Sequence, residues 1–343
     1  ACPVPGLAAC LAGVERDFGE HAGDFPALAE KYEVFGKPSL DLDEKLQALI
    51  RAAVELASAE APHWDKIAAR LRYLDFARHL AESEAKRGIT NFVAKLRYLT
   101  AKELYGSYIL ENYTEQELRA ASRFIVAERN HLYSYAGLDL LLSRYVIHTH
   151  HGVALESPQE MYLGIALHLA MLEEPSVRMD WVRRFYDMLS LQQVTMATPT
   201  LANARKPYHQ LSSCFIDTVP DSLDGIYRSL DSFAKVSKWG GGMGLYFGKV
   251  RATGAAIRGF EGAAGGVIRW IRLVNDTAVA VDQLGVRQGR FALFAAVAPA
   301  ADDLIAQRHD APDRHLAICR GVPCQRQRGL HPLRVVHAKA PST

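Results

Sequence analysis

The chain has 343 residues, 49% of them hydrophobic, with a formal net charge of +2 and five cysteines. That length buries a substantial core and allows two domains, the near-neutral balance gives no whole-protein pull toward nucleic acid, and an odd, unpaired set of cysteines argues against a disulfide scaffold. No apolar stretch approaches the roughly 20 residues that cross a bilayer, and the first residues lack the charged-then-apolar order of a secretion signal, so a cytoplasmic protein without membrane contact is expected. The chain opens at Ala1 and has no methionine before Met161, which reads as a piece of a longer frame.

Residues 1–40 read as an N-terminal extension and residues 41–190 as a helical domain. Leu42, Leu46, Leu49, Ile50, Ala53, Val54 and Ala57 recur at three- and four-residue intervals, and Trp64, Ile67, Ala68, Leu71 and Leu74 follow in the same rhythm. Helix starts are marked by a hydroxyl three residues ahead of a carboxylate at Thr100/Glu103, Thr114/Glu117 and Ser157/Glu160. His148, His150 and His151 cluster in the run IHTHHG, but without a carboxylate or cysteine at ligand spacing they read as a loop, and no metal-ligating set is expected.

Past residue 190 the texture becomes short β-favouring runs at 214–216, 244–247 and 266–268, separated by glycines and by a helix-like stretch, Leu223–Lys238; strands alternating with helices imply α/β architecture. Three features here suit a buried site for a polar, anionic ligand. Hydroxyls of Thr198, Ser212 and Ser213 flank Cys214, and such groups with turn N–H donors bind phosphate or sugar oxygens. The run Gly240-Gly241-Gly242-Met243-Gly244 leaves two readings open, backbone pressed against a nucleotide or a tight turn into a strand. Arg251 and Arg258, with Asp221 upstream, pair guanidiniums fit for phosphate with a carboxylate fit for a sugar hydroxyl.

In order, ATPTLANA, QLSSCF, VPDSLDGIY, SKWGGGMG, VRATGAAIRG, NDTAVAVDQ and GVRQG resemble the large (α) subunit of ribonucleotide reductase. The resemblance implies a helical N-terminal domain followed, over residues 191–289, by the first half of a ten-stranded α/β barrel, truncated, with an irregular tail. It implies reduction of ribonucleoside diphosphates to 2′-deoxyribonucleotides for DNA synthesis. By matching position, Cys214 resembles the first cysteine of the redox pair. Thr198, Ser213, Gly241 and Gly242 resemble substrate-binding positions. Asp221, Arg251 and Arg258 resemble the site where a dNTP or ATP effector selects the substrate, and Gln283 and Arg287 resemble the loop that carries that message.

The family further implies a homodimer at full length and a small radical-generating (beta) subunit with a di-metal centre. Adenosylcobalamin is the alternative radical source, thioredoxin or glutaredoxin the reductant, and no cofactor is expected on these residues. The radical cysteine and second redox cysteine of the family would lie past residue 343, so the chain by itself is expected to be inactive. After Gly289 the pattern fades, returns at 302–311 and stops, which reads as a divergent or frameshifted stretch, 290–343; Cys319 and Cys324 match no family thiol. The last thirty residues carry six Lys/Arg, three His and no Asp or Glu, open to reading as a basic arm or as disorder. Two other classes stay open: a non-catalytic nucleotide-binding regulatory module, and a helical interaction protein with a basic tail.

Overall fold

A computed structural model of the chain describes residues 7–35, 40–283, 287–288, 291–295, 316–318 and 334–338. The chain divides into two units, residues 1–196 with 200–209 and residues 197–199 with 210–343. Among the described residues no helix is long and apolar enough to cross a membrane.

The first unit is helical from the first described residues. Helix α1 (Leu7–Asp17), a 3-10 turn (Gly19–Asp24) and α2 (Phe25–Phe35) precede α3 (Leu42–Leu56) and α4 (His63–Arg87), so the stretch read as an extension contributes elements of its own. A reciprocal cap fixes the start of α3: the Asp41 carboxylate accepts from the Glu44 N–H at 2.9 Å, and the Glu44 carboxylate accepts from the Asp41 N–H at 3.0 Å. The apolar stripe then buries Leu49, Ile50 and Ala53 against Trp64, Ile67 and Leu71 of α4, with Val14 and Leu28 completing the cluster.

Helices α5 (Phe92–Ala101), α6 (Tyr108–Asn112), α7 (Glu115–Ser122), a 3-10 turn (Ala127–Leu132), α8 (Tyr135–Arg144), α9 (Pro158–Ala170) and α10 (Pro175–Ser190) follow. The Thr114/Glu117 and Ser157/Glu160 pairs form capping boxes at the starts of α7 and α9. Thr100/Glu103 does not. Thr100 lies in the last turn of α5, whose start is capped by Asn91, and Glu103 follows with φ +57°, so the spacing alone mimicked a helix start. Residues 147–155 form a polar turn in which the Thr149 N–H donates to the Val153 carbonyl at 2.8 Å and the Gly152 N–H to the Thr149 carbonyl at 2.9 Å.

Beyond α11 (Thr198–Asn203) the second unit runs β1 (Cys214–Thr218), α12 (Leu223–Lys238), β2 (Gly242–Tyr246), α13 (Ile268–Ala280), the short strands β3 (Asp282–Gln283) and β4 (Arg287–Gln288), then β5 (Phe291–Ala295), β6 (Leu316–Ile318) and β7 (Arg334–Ala338). The main sheet has the order β1-β2-β5-β7-β6. Neighbours β1, β2 and β5 are parallel, and β7 pairs antiparallel with β5 and β6. Helices α12 and α13 lie in the connections β1 to β2 and β2 to β5, as parallel pairing requires of its crossovers.

Residues 266–268, expected as a strand, instead lead into α13, because Ile271, Val274 and Ala278 continue at helical spacing and bury that face against Phe233 of α12 and Met243 and Leu245 of β2. After residue 290, where an irregular tail is expected, the described residues are three short strands; 302–311, Cys319 and Cys324 lie outside the described residues.

Candidate functional site

Strand β1 is an edge of the sheet and begins at Cys214. The parallel register sets Cys214 opposite Gly242, and the ladder opens with the Gly242 N–H donating to the Ser213 carbonyl at 2.7 Å. The Ser213 hydroxyl lies 3.4 Å from the Cys214 sulfur. Three of the expected residues, Ser213, Cys214 and Gly242, therefore meet at the N-terminal ends of two adjacent strands. The thiol is free and exposed, not enclosed in a buried site, because alternate residues of β1, Cys214, Ile216 and Thr218, face away from the core while Phe215 packs into it. Thr198 is half-buried at the first position of α11.

Gly240 and Gly241 serve the fold first. Helix α12 ends with Gly240 in the left-handed region at φ +84°; its N–H donates to the Ser237 carbonyl at 2.9 Å, and the Gly241 N–H donates to the Val236 carbonyl at 3.1 Å. These two bonds close a Schellman motif and turn the chain into β2. A Cβ on Gly241 would come within 2.7 Å of Val236 Cγ1 and 3.1 Å of Phe215 Cε2. The strand-entry reading of the glycine run thus has a direct structural basis, and it also holds Gly242 in register with Cys214.

Past the C-terminal ends of the same two strands, each about 13 Å long at roughly 3.3 Å per residue, Asp221 and Arg251 meet. The Arg251 backbone N–H and Nε donate to the two Asp221 carboxylate oxygens at 3.2 and 2.8 Å, and Arg251 also donates to the Ala256 carbonyl at 3.0 Å. Both side chains keep about a third of their surface exposed, 36% and 33%. Arg258 is exposed, has no hydrogen bond or ion pair among the described residues, and sits at φ +50°, a conformation uncommon outside glycine. It leaves an unneutralised guanidinium in the 251–266 loop. Gln283 and Arg287 are register partners in the antiparallel β3–β4 pair, so they are brought together on the backbone; 284–286 lie outside the described residues.

Two arrangements gave no sequence signal. A cavity between β1 and α12 is lined by Asp217, Thr218, Arg228, Ser229 and Ser232, among others, and does not include Cys214. In the helical unit, Arg205 and Glu156 are both 0% exposed and paired. Tyr105 donates to Glu156 at 2.7 Å, the Ile147 N–H donates to it at 2.9 Å, and Arg205 donates to the Leu201 and Tyr145 carbonyls at 2.7 Å each. Burial and the Glu156 charge hold the Tyr105 phenol well above its ordinary pKa. Nearby, burial pushes the His168 imidazole down to about 4, with His209 adding to the effect, and His168 shares a 3.0 Å hydrogen bond with the Tyr108 hydroxyl.

The family description "Ribonucleotide reductase, all-alpha domain" matches residues 131–209, and "Ribonucleotide reductase, barrel domain" matches residues 212–300. The chain belongs to the ribonucleotide reductase large-subunit family. It is 58% identical over 284 residues to the ribonucleoside-diphosphate reductase subunit alpha of Treponema pallidum, a match covering 83% of this chain and 34% of that protein. It is 39% identical to the subunit alpha of Synechocystis sp. over 70% of this chain and 30% of that protein, and 35% identical to that of Helicobacter pylori over 75% and 32%. The chain thus spans about a third of the length of these reductase relatives. The barrel-domain match begins two residues before Cys214 and runs to residue 300, past residue 289, where the motif pattern fades.

Proposed function

We propose that residues 191–289 are the nucleotide-handling part of a ribonucleoside-diphosphate reductase large subunit, following the helical domain of residues 41–190. The observation that carries the reading is the juxtaposition at the N-terminal ends of β1 and β2, a free thiol with a hydroxyl at 3.4 Å and a glycine directly across the ladder, inside the segment that matches the family's barrel domain. Replacing a ribose 2′-hydroxyl by hydrogen takes two electrons and two protons: the hydroxyl leaves as water while two thiols become one disulfide. Cys214 supplies one of these thiols and protonates the departing hydroxyl; a dithiol reductant of the thioredoxin or glutaredoxin class restores the pair.

Thr198 and Ser213 bind the diphosphate, and Gly241 and Gly242 offer bare backbone at close approach. Asp221, Arg251 and Arg258 form a separate effector site for a deoxynucleoside triphosphate or ATP, where Arg258 has an uncommitted charge for phosphate oxygens. Gln283 and Arg287 link the two. The relatives' designation as subunit alpha favours a radical supplied by a separate small subunit over adenosylcobalamin. Equilibrium dialysis with labelled CDP and dTTP tests the division into two sites. Arg258→Ala is expected to remove dTTP binding and leave CDP binding; Thr198→Val with Ser213→Ala is expected to do the reverse. Loss of both nucleotides in both variants, or binding of neither by the wild type, contradicts the proposal.

A further inference from the structure

In the helical unit, the N-terminal helices bring together three metal-ligating side chains that no motif connects. His21 and Asp24 sit three residues apart on the 3-10 turn between α1 and α2, and His63 is the first residue of α4. Asp24 Oδ2 lies 3.0 Å from His63 Nε2 and 3.6 Å from His21 Nδ1, and one donor atom from each residue falls within 4.8 Å of the others. His63 Nε2 is shielded from solvent and makes no hydrogen bond of good geometry, even with Asp24 so near. The other nitrogen of His21 faces Glu20 at 3.7 Å, the place of an outer carboxylate that orients a ligating imidazole.

From these residues we infer a binding site for a divalent transition-metal ion of the zinc type, with His21, Asp24 and His63 as ligands. Two imidazoles and one carboxylate are a donor set that zinc accepts at about 2.0–2.2 Å, leaving a fourth position for water. Asp24 and His21 keep 48% and 33% of their side-chain surface in solvent, which provides the entry path. The two rings stack with centroids 4.0 Å apart and planes 5° from parallel. A metal lies in the plane of each imidazole it binds, so loading turns one ring about its Cβ–Cγ bond. His21 is the ring with room to turn, since His63 is only 17% exposed and its ring packs 5.5 Å from buried Trp64. The ion would tie the 3-10 turn to the start of α4, cross-linking segments that meet around Val14, Leu28 and Trp64. This site is independent of the nucleotide reading.

The test uses the full chain stripped with chelator and titrated with Zn²⁺ and Co²⁺ at pH 7.5. It is run on the wild type, His21→Gln, Asp24→Asn, His63→Gln, and on Asp43→Asn/His79→Gln, which breaks the one other cluster of this kind among the described residues. The wild type and the Asp43/His79 control are expected to take one ion per chain. Binding should weaken more than about 100-fold in either histidine variant, exceeding the 10–100-fold that groups behind the ligands are worth. Co²⁺ should give a visible ligand-field band without a thiolate charge-transfer band, and should quench Trp64 emission. Circular dichroism of the metal-free variants separates lost ligation from lost folding, and His21→Gln on the partly exposed turn keeps the test valid if His63→Gln unfolds. Undiminished binding in all three ligand variants, a thiolate band, or no binding by the wild type below millimolar metal would overturn the inference.

Discussion

Gly241→Ala offers a quantitative test of how the glycine run positions the thiol. The new methyl would meet Val236 Cγ1 at 2.7 Å, Phe215 Cε2 at 3.1 Å and the Val236 carbonyl oxygen at 3.3 Å. Val236 is in the last turn of α12, where a valine has essentially one χ1 well and cannot swing aside; Phe215, partly buried, packs against the core cluster. Forcing a methyl into such a contact costs about 1–3 kcal/mol. Gly240→Ala acts differently, since nothing lies within 4 Å of its Cβ position but φ is +84°, and left-handed strain alone is about 1–2 kcal/mol. Urea unfolding, followed by the fluorescence of the second unit, should therefore show both variants destabilised. Only Gly241→Ala should be relieved, by about 1 kcal/mol or more, in a Val236→Ala background. Equal losses for Gly241→Ala in both backgrounds, or wild-type stability with nucleotide binding alone impaired, would refute the packing account and return the glycine to ligand contact only.

In the helical unit, Arg205→Met strands the fully buried Glu156 and should cost about 3–5 kcal/mol, whereas Arg205→Met/Glu156→Gln removes both charges and should recover much of that loss; additive losses in the double variant would contradict this. His168, buried and depressed to about 4 against an ordinary value near 6.5, binds its proton later in the folded than in the unfolded state. Its contribution is complete above pH 6.5 and lost as the pH falls toward 4, about 3 kcal/mol in all. Thermal melts at pH 7 and pH 4.5 should converge in His168→Gln relative to wild type, and an unchanged acid loss would exclude His168 as its source.

Local chemistry made most of the fold legible and left the long-range pairs hidden. The stripe from Leu46 to Ala53 and the caps at Thr114 and Ser157 are i, i+3 and i, i+4 relations, which a one-dimensional reading sees directly. The same spacing misled at Thr100, because a capping pair needs extended backbone at its first residue and Thr100 is still helical. Residues 266–268 look like a strand over three positions, and the helical period that decides the matter shows only once Ile271, Val274 and Ala278 are included.

At the candidate site, proximity in sequence delivered Ser213 and Cys214, and the order of motifs marked Gly242, but only the parallel register sets the glycine opposite the thiol. Residue type marks Asp221 and Arg251 as ligand groups, and the structure adds that they bind each other. Glu156 with Arg205, and His21 with His63, are joined by tertiary packing across dozens of residues, and no periodicity reports such pairs.

The central claim is that the Cys214 sulfur faces the sugar of a bound ribonucleotide. Alkylation of Cys214 by iodoacetamide, followed at peptide resolution by mass spectrometry with and without CDP or ADP, tests it directly, since the free thiol is exposed and open to the reagent. The account predicts that saturating ribonucleoside diphosphate slows alkylation at Cys214 by about tenfold or more, with dTTP having a much smaller effect because the site proposed for it lies past the other ends of the strands. Alkylation at an undiminished rate while the diphosphate is demonstrably bound would contradict it.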